Sequence, residues 1–247
     1  MASNKRGTAL VDGEYAEFQA AVLLQLPRDI DPVILRGWVL HQESLKKTLR
    51  EALVPPVEDL PNLDWAKVYE VLGMSAVYDV FLCTEYSDQR YPTCAGLWQV
   101  WVLRGVTPNK VIAAFKKLEV NTYLYVNNLD KDVTKNDRDP NRDGSYVVSF
   151  RKTVEADPEN ANQSADDRKA SGAKDIALLE RLLLELGYFL ATKKHLDVEN
   201  WTLCSGSRCS DGGVPGVHWV SGDRRLRIHW SDPAHRFDAL CSRAVVS

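Results

Sequence analysis

The segment from Asp175 to His195, DIALLERLLLELGYFLATKKH, constrains the fold of this 247-residue chain more than any other. Ile176, Leu179, Leu182, Leu183, Leu186 and Leu190 recur at helical spacing and make a stripe wide enough to face a core. Asp175 is placed to cap the helix, and Lys193, Lys194 and His195 set cations at the negative end of its dipole. Such a helix needs partners. LWQVWVL from Leu97, TYLYV from Thr122 and SYVVSF from Ser145 read as strands, and from Trp201 short strands alternate with Gly, Pro, Ser and Asp turns. The expected fold class is α+β.

The N-terminal third reads as helical. Tyr15, Phe18, Val22 and Leu26 have helical spacing, and Asp31-Pro32 opens a helix expected to reach about Leu53. After the breaks at Pro55-Pro56 and Pro61, Asp64 starts a shorter helix with Trp65, Val68, Tyr69 and Leu72 inward and Gly73 as its stop. Thr107-Pro108 caps a helix through Leu118, so residues 97–134 read as a small strand-helix-strand unit. Glu155 to Lys174 is polar and reads as a long surface loop. The expected organisation is a helical region over 1–92, the unit at 97–134, and a ligand-binding domain over 135–247.

The net charge of −3 carries no basic footprint for nucleic acid, and no apolar run reaches the ~18 residues of a membrane span. MASNKRGTAL lacks the apolar stretch of a secretory signal, so the chain is expected in the cytoplasm unless exported by another route. Cys83, Cys94, Cys204, Cys209 and Cys241 form no CxxC pair and read as reduced thiols, with neither metal nor cofactor implied.

In LRIHW, Leu226, Ile228 and Trp230 alternate with Arg225, Arg227, His229 and Ser231. A period of two puts the first set toward the core and the second on an open face. Val217 and Trp219 repeat the pattern around His218.

The string LCSGSRCSDGGVPGVHW, followed by RIHW-x-x-P and LCSRAVV, closely resembles the C-termini of variable proteins from diversity-generating retroelements. The likeness extends upstream through NDRDPNRDGSYVVSFRKTVEADPEN, the leucine-rich helix and HLDVENWTLCSGSR, covering roughly Leu97 to Ser247. It implies a C-type-lectin-like domain in which fixed positions hold the fold. Interspersed positions, rewritten by an error-prone reverse transcriptase at template adenines, form a ligand-binding surface. On that pattern Cys204, Ser205, Gly206, Ser207, Arg208, Ser210, Asp211, Gly212, Val214, Pro215, Trp230, Pro233, Leu240, Ser242 and Arg243 are scaffold. Cys209, Gly213, Gly216, His218, Val220, Ser221, Asp223, Arg227, His229, Ser231, Asp232, Ala234, His235, Arg236, Phe237, Asp238 and Ala239 are variable, ligand-facing positions. Arg227, His229 and Ser231 also emerge from alternation alone. Where the family usually has Arg, this chain has Cys241, which would leave a carboxylate without its partner.

The implied function is display of a binding surface for a macromolecular ligand, expected to be a protein, without catalysis. Two readings from other classes compete: an oxidase related to formylglycine-generating enzymes, whose paired-cysteine pattern is missing here, and an adaptor whose N-terminal helices engage a tether or an oligomer partner. Asp139-x-Asn141-x-Asp143-Gly144 matches half of a calcium loop, but Phe150 stands where the bidentate Glu belongs, so a turn is expected. Trp230-Ser231-Asp232 faintly resembles a lectin calcium motif without its Glu-Pro-Asn partner. His218, His229 and His235 lack ligand spacing, and no orienting third group accompanies a Cys204 or Cys209 nucleophile.

Overall fold

Proline and an Asp cap start the first described helix, α1 (Pro32–Leu40), where Asp31 accepts from the Val33 amide at 2.7 Å. The computed structural model describes residues 20, 24, 30–46, 60–87, 89–94 and 96–246. The helix expected to reach Leu53 stops at Leu40, with His41 as its cap; a helical stretch resumes over 42–46, and 47–53 lie outside the described residues. Gly37 and the β-branched Val33, Ile34 and Val39 all lower helix propensity there. The expected helix at 15–26 also lies outside the described residues, apart from Ala20 and Leu24, which are helical.

The chain divides into two compact units, 1–58 and 59–247. The second begins with α2 (Trp65–Val71), capped by Asp64 and ended by Gly73 at φ 71°, as the sequence predicts. A helix not anticipated, α3 (Ser75–Thr84), follows at once. Both pack on β1 (Leu97–Val102). The Trp65 indole donates to the Gln99 carbonyl at 2.9 Å, the Tyr69 hydroxyl to the Trp101 carbonyl at 2.8 Å, and Phe81 meets Trp101 edge-on at 5.7 Å. The sequence boundary at 92 therefore falls inside this unit.

The next elements are α4 (Pro108–Lys117), β2 (Thr122–Leu124), α5 (Leu129–Asp132), β3 (Val133–Asn136), α6 (Pro140–Asp143) and β4 (Tyr146–Arg151). The strand-helix-strand reading of 97–134 fails as one sheet. β1 pairs antiparallel with β4, whereas β2 runs parallel to a strand a hundred residues further on. Residues 155–174 are not a long surface loop either. They hold a 3-10 turn (Pro158–Asn160) and α7 (Ala165–Ala170), whose Ser164 and Asp167 form a reciprocal capping box. Arg168 grips Asp175 through two bonds of 2.7 and 3.0 Å and Asn160 at 2.7 Å, pinning the segment inward.

That ion pair takes Asp175 away from the capping role predicted for it. The long helix α8 (Leu178–Thr192) starts instead with Glu180 accepting from the Ala177 amide at 2.8 Å, and the Ser207 hydroxyl accepting from Leu178. It ends at Lys193 in the left-handed conformation, φ 60°. It is buried almost all round, including Glu180, Arg181 and Glu185, because it packs against β1, α2, α4 and the large sheet. Burying a charge costs several kcal/mol unless it is paired. Each one here is: Arg138 grips Glu180 with two bonds of 2.7 and 2.8 Å, and Arg181 lies between Glu185 at 2.9 Å and Asp197 at 2.7 Å.

After α8 come β5 (Trp201–Leu203), β6 (Ser207–Cys209), β7 (Val214–Val220), β8 (Arg225–Ser231) and β9 (Leu240–Cys241). β6 pairs with β3, and the others join β2 in a five-stranded sheet ordered β2-β8-β7-β5-β9. Val217, Leu226 and Ile228 on its inner face are fully buried in the main core. Cys241 is buried in β9, and Arg243 just beyond carries the guanidinium that joins the C-terminal strand to a buried acid, Asp197, at 2.7 Å. The mixed α and β content agrees with the α+β expectation. Among the described residues no helix is long and apolar enough to cross a membrane.

Candidate functional site

The outer face of the five-stranded sheet carries the candidate surface. Strand register lines up a row across it: Tyr123 on β2 opposite Arg227 on β8, which stands opposite His218 on β7. The row ends at Trp201 on β5, whose ring stacks on His218 at 4.0 Å and 6°. His229 meets the Trp201 ring edge-on at 4.5 Å, and Phe237 does so at 5.0 Å from the loop after β8. His235 packs on Phe237 at 5.4 Å. At the β2 edge the Arg227 guanidinium sits 5.1 Å over the Tyr123 ring, with Arg225 5.9 Å away. Arg225 pairs with Asp223 at 2.7 Å, while Arg227 has no carboxylate partner among the described residues. One end of the face is not free: Leu203, Val214, Leu240 and Ala165 form a small second core there, flanked by Trp201 and Phe237.

The loop 232–239 is held from below. Asp232 accepts from Ala234 at 2.8 Å, the Pro233 carbonyl accepts from Asp166 at 3.1 Å, and Arg236 pairs with Asp167 at 2.6 Å. Ser221, Asp223, Asp232, Ala234, His235, Arg236 and Asp238 are exposed, and Val220, Arg227, His229, Phe237 and Ala239 are half-buried. Five expected ligand-facing positions lie inside. Cys209 contacts the Tyr125 hydroxyl at 3.1 Å, His218 lies under Trp201, and Ser231 is buried beside His229. Gly213 and Gly216 are buried beneath large neighbours: a Cβ on Gly213 would strike the Trp230 indole, and one on Gly216 the His229 ring.

Trp230 reverses the expectation that it is buried with Leu226 and Ile228. It shares their side of β8, but the core ends before it. The residue is 42% exposed, and its indole donates to Asp211 at 3.0 Å while covering Gly213. The predicted open face also needs correction at His218 and Ser231, which are 4% and 6% exposed, because the 232–239 loop and Trp201 fold over that side. Sequence reasoning missed Trp201 and Tyr123. Trp201 carried an alternation signal too short to read, and Tyr123 reaches the site only through a parallel pairing with no local signature.

Burial pushes His218 down to about 3 and His229 down to about 4; Arg227 lowers both further, with His229 adding to the effect on His218 and His235 to that on His229. Both rings are therefore neutral at neutral pH, and the face works as an aromatic surface with one unpaired guanidinium. His218 and His229 adjoin at 5.4 Å, but His235 does not join them, and the described residues contain no group of three or more His, Cys, Asp or Glu able to hold a metal. In the calcium-like loop the carboxylates serve the turn. Asp139 caps α6 and accepts from Asn141 at 2.8 Å, while Asp143 accepts from the Asp139 amide and pairs with Arg142. All five cysteines are unbridged. Burial raises the thiols of Cys204, Cys209 (to about 12) and Cys241 (to about 11), opposite to what a nucleophilic cysteine needs.

Compared with protein-family models, with curated proteins and with solved structures, the chain finds no match.

Proposed function

We propose that this protein is a ligand-display protein of the diversity-generating-retroelement kind, with a C-type-lectin-like C-terminal domain, and that it binds a macromolecule, a protein, without catalysing a reaction. The observation that carries this reading is the grouping on one face of positions that the resemblance names as variable. Twelve of the seventeen are exposed or half-buried along β7, β8 and the 232–239 loop. Many of the expected scaffold positions interleaved with them, such as Cys204, Ser207, Val214, Leu240, Ser242 and Arg243, are buried. Trp201, Tyr123, Phe237 and the unpaired Arg227 are the side-chain types that anchor protein interfaces. The raised thiols weigh against the cysteine-oxidase alternative.

The test has a genetic arm and a binding arm. The coding DNA should have a near-copy repeat beside a reverse transcriptase gene, differing mainly at adenines over the codons of the exposed positions. A sibling's residues grafted at Ser221, Asp223, Arg227, His235 and Asp238 should leave the melting curve in place and change which host-surface proteins are captured in a display selection. No repeat, together with an unchanged capture set, would overturn the reading.

A further inference from the structure

A second site lies away from the display face. Between β3, the end of α7 and the turn into β6 there is a cleft of about 270 Å³, just under the ~300–1,000 Å³ of pockets for drug-sized ligands. Lys135, Lys169 and Arg208 line it from three separate elements. Among the described residues, no carboxylate lies within ion-pair distance of any of the three. Arg208 is held in place by two bonds from its Nη1, to the Ser205 carbonyl at 2.7 Å and the Ser207 carbonyl at 2.8 Å, leaving its Nε and Nη2 without partners among the described residues.

The placement of two of these cations is unfavourable without a counter-ion. Lys135 stands opposite Arg208 across the β3–β6 pair. Like charges directly opposite on paired strands repel. Two carboxylates share the cleft, but Asp175 is neutralised by the buried Arg168, and Asp137 is exposed and makes no ion pair among the described residues. With Arg168 counted the lining is net positive. Gly206 allows the close packing beneath it: a Cβ there would sit 2.7 Å from the Asp175 carbonyl, so the turn that carries Arg208 is fixed against the start of α8.

The geometry points to an anion site in this cleft, taking a small phosphomonoester-class dianion held by Lys135, Lys169 and Arg208. The volume leaves room for a small group attached to the phosphate. The turn from Ser205 to Arg208 falls among positions that the resemblance treats as fixed, so the site is independent of which residues the display face carries. It also stands if the display reading fails, because it uses none of that face.

The test uses the full chain with inorganic phosphate and glycerol 3-phosphate as probes, followed by calorimetry and by melting curves against chloride at matched ionic strength. Both probes should bind saturably and raise the melting temperature, with the monoester at least as tight. Lys135→Gln/Lys169→Gln should fold normally, since both side chains are exposed and unpaired, and should lose affinity by about tenfold for each cation removed. In chloride, Lys135→Gln alone should melt no lower than the parent, because it relieves the repulsion with Arg208. Absence of saturable binding at millimolar concentrations, or equal binding by the double variant, would overturn the assignment.

Discussion

Replacing Asp197 with Asn isolates the charge that holds the C-terminal strand to the long helix. Asp197 has φ 53°, a left-handed conformation that Asn tolerates and Ala does not, so the substitution adds no backbone strain. Its carboxylate pairs with Arg181 and Arg243, each at 2.7 Å, and accepts from the Thr202 hydroxyl. With Asn there, Arg181 keeps Glu185, but Arg243 is left with neutral partners, the carbonyls of Thr153 and Val154 and the hydroxyls of Thr153 and Thr202, and no counter-charge. Leaving one buried guanidinium uncompensated costs about 3–5 kcal/mol. For a domain of this size each kcal/mol moves the melting temperature by roughly 2–4 °C, so Asp197→Asn should melt about 6–20 °C lower by circular dichroism. Burial alone would raise the Asp197 carboxyl, but Arg181 and Arg243 outweigh it and hold the group below its ordinary value. A depressed carboxylate stabilises above its unfolded pKa of about 4 and loses that contribution as pH falls through the folded value. The gap between parent and variant should therefore be constant near neutrality and narrow as pH falls below about 4. A variant melting within about 2 °C of the parent at neutral pH, less than 1 kcal/mol by the same scaling, would refute the reasoning.

Three further outcomes follow from the candidate site. His218 and His229, lowered to about 3 and about 4, take up protons only in the unfolded chain once pH drops below about 6.5. Stability should then fall toward acid by up to ~1.4 kcal/mol per pH unit for each ring, and urea titrations of His218→Phe/His229→Phe should show a flatter pH dependence; an equal slope would contradict it. Trp230→Ala should cost only about 1 kcal/mol, against the ~3–5 kcal/mol of a buried aromatic, because the ring lies past the end of the core. Gly213→Ala should destabilise by ~1–3 kcal/mol through its clash with Trp230, and less when Trp230 is already Ala; additive losses would show that the two do not touch.

The fold was legible where a local pattern determined it. Asp64, Gly73 and Thr107-Pro108 mark helix ends by short-range hydrogen bonding and backbone geometry, and the structure places those ends there. The leucine stripe announced a core helix, but not one buried on every side, because pairing of Glu180 with Arg138 and of Arg181 with Asp197 joins residues 16 to 42 positions apart. The polar run 155–174 looked like a loop for the same reason: Arg168 reads as a surface charge until it is seen to be neutralised by Asp175, which the sequence offers as a helix cap. Sheet membership was the least legible. β1 and β2 flank one helix in sequence, yet each pairs with a strand from elsewhere, and no periodicity encodes that choice.

Alternation correctly divided Leu226 and Ile228 from Arg227 and His229 on β8, since a strand's geometry fixes which side a residue takes. It could not say how far the core extends along the inner side, which is why Trp230 emerges into solvent, nor what covers the outer side, which is why His218 and Ser231 are enclosed. The two glycines show the physical limit on a surface whose residues vary. Gly216 lies opposite His229 and beneath its ring, and Gly213 lies beneath the Trp230 indole. A side chain at 216 and a ring lying across it at 229 exclude each other, so these positions are constrained as a pair even though one of them is half-exposed. By contrast Ser221, Asp223, Asp238 and His235 stand clear of the core and tolerate exchange with little effect on folding. The face thus contains residues that fix its shape and residues that only supply its chemistry, and Trp201 belongs to the first group: it touches His218, His229 and Phe237 at once and sets the plane on which the others are presented.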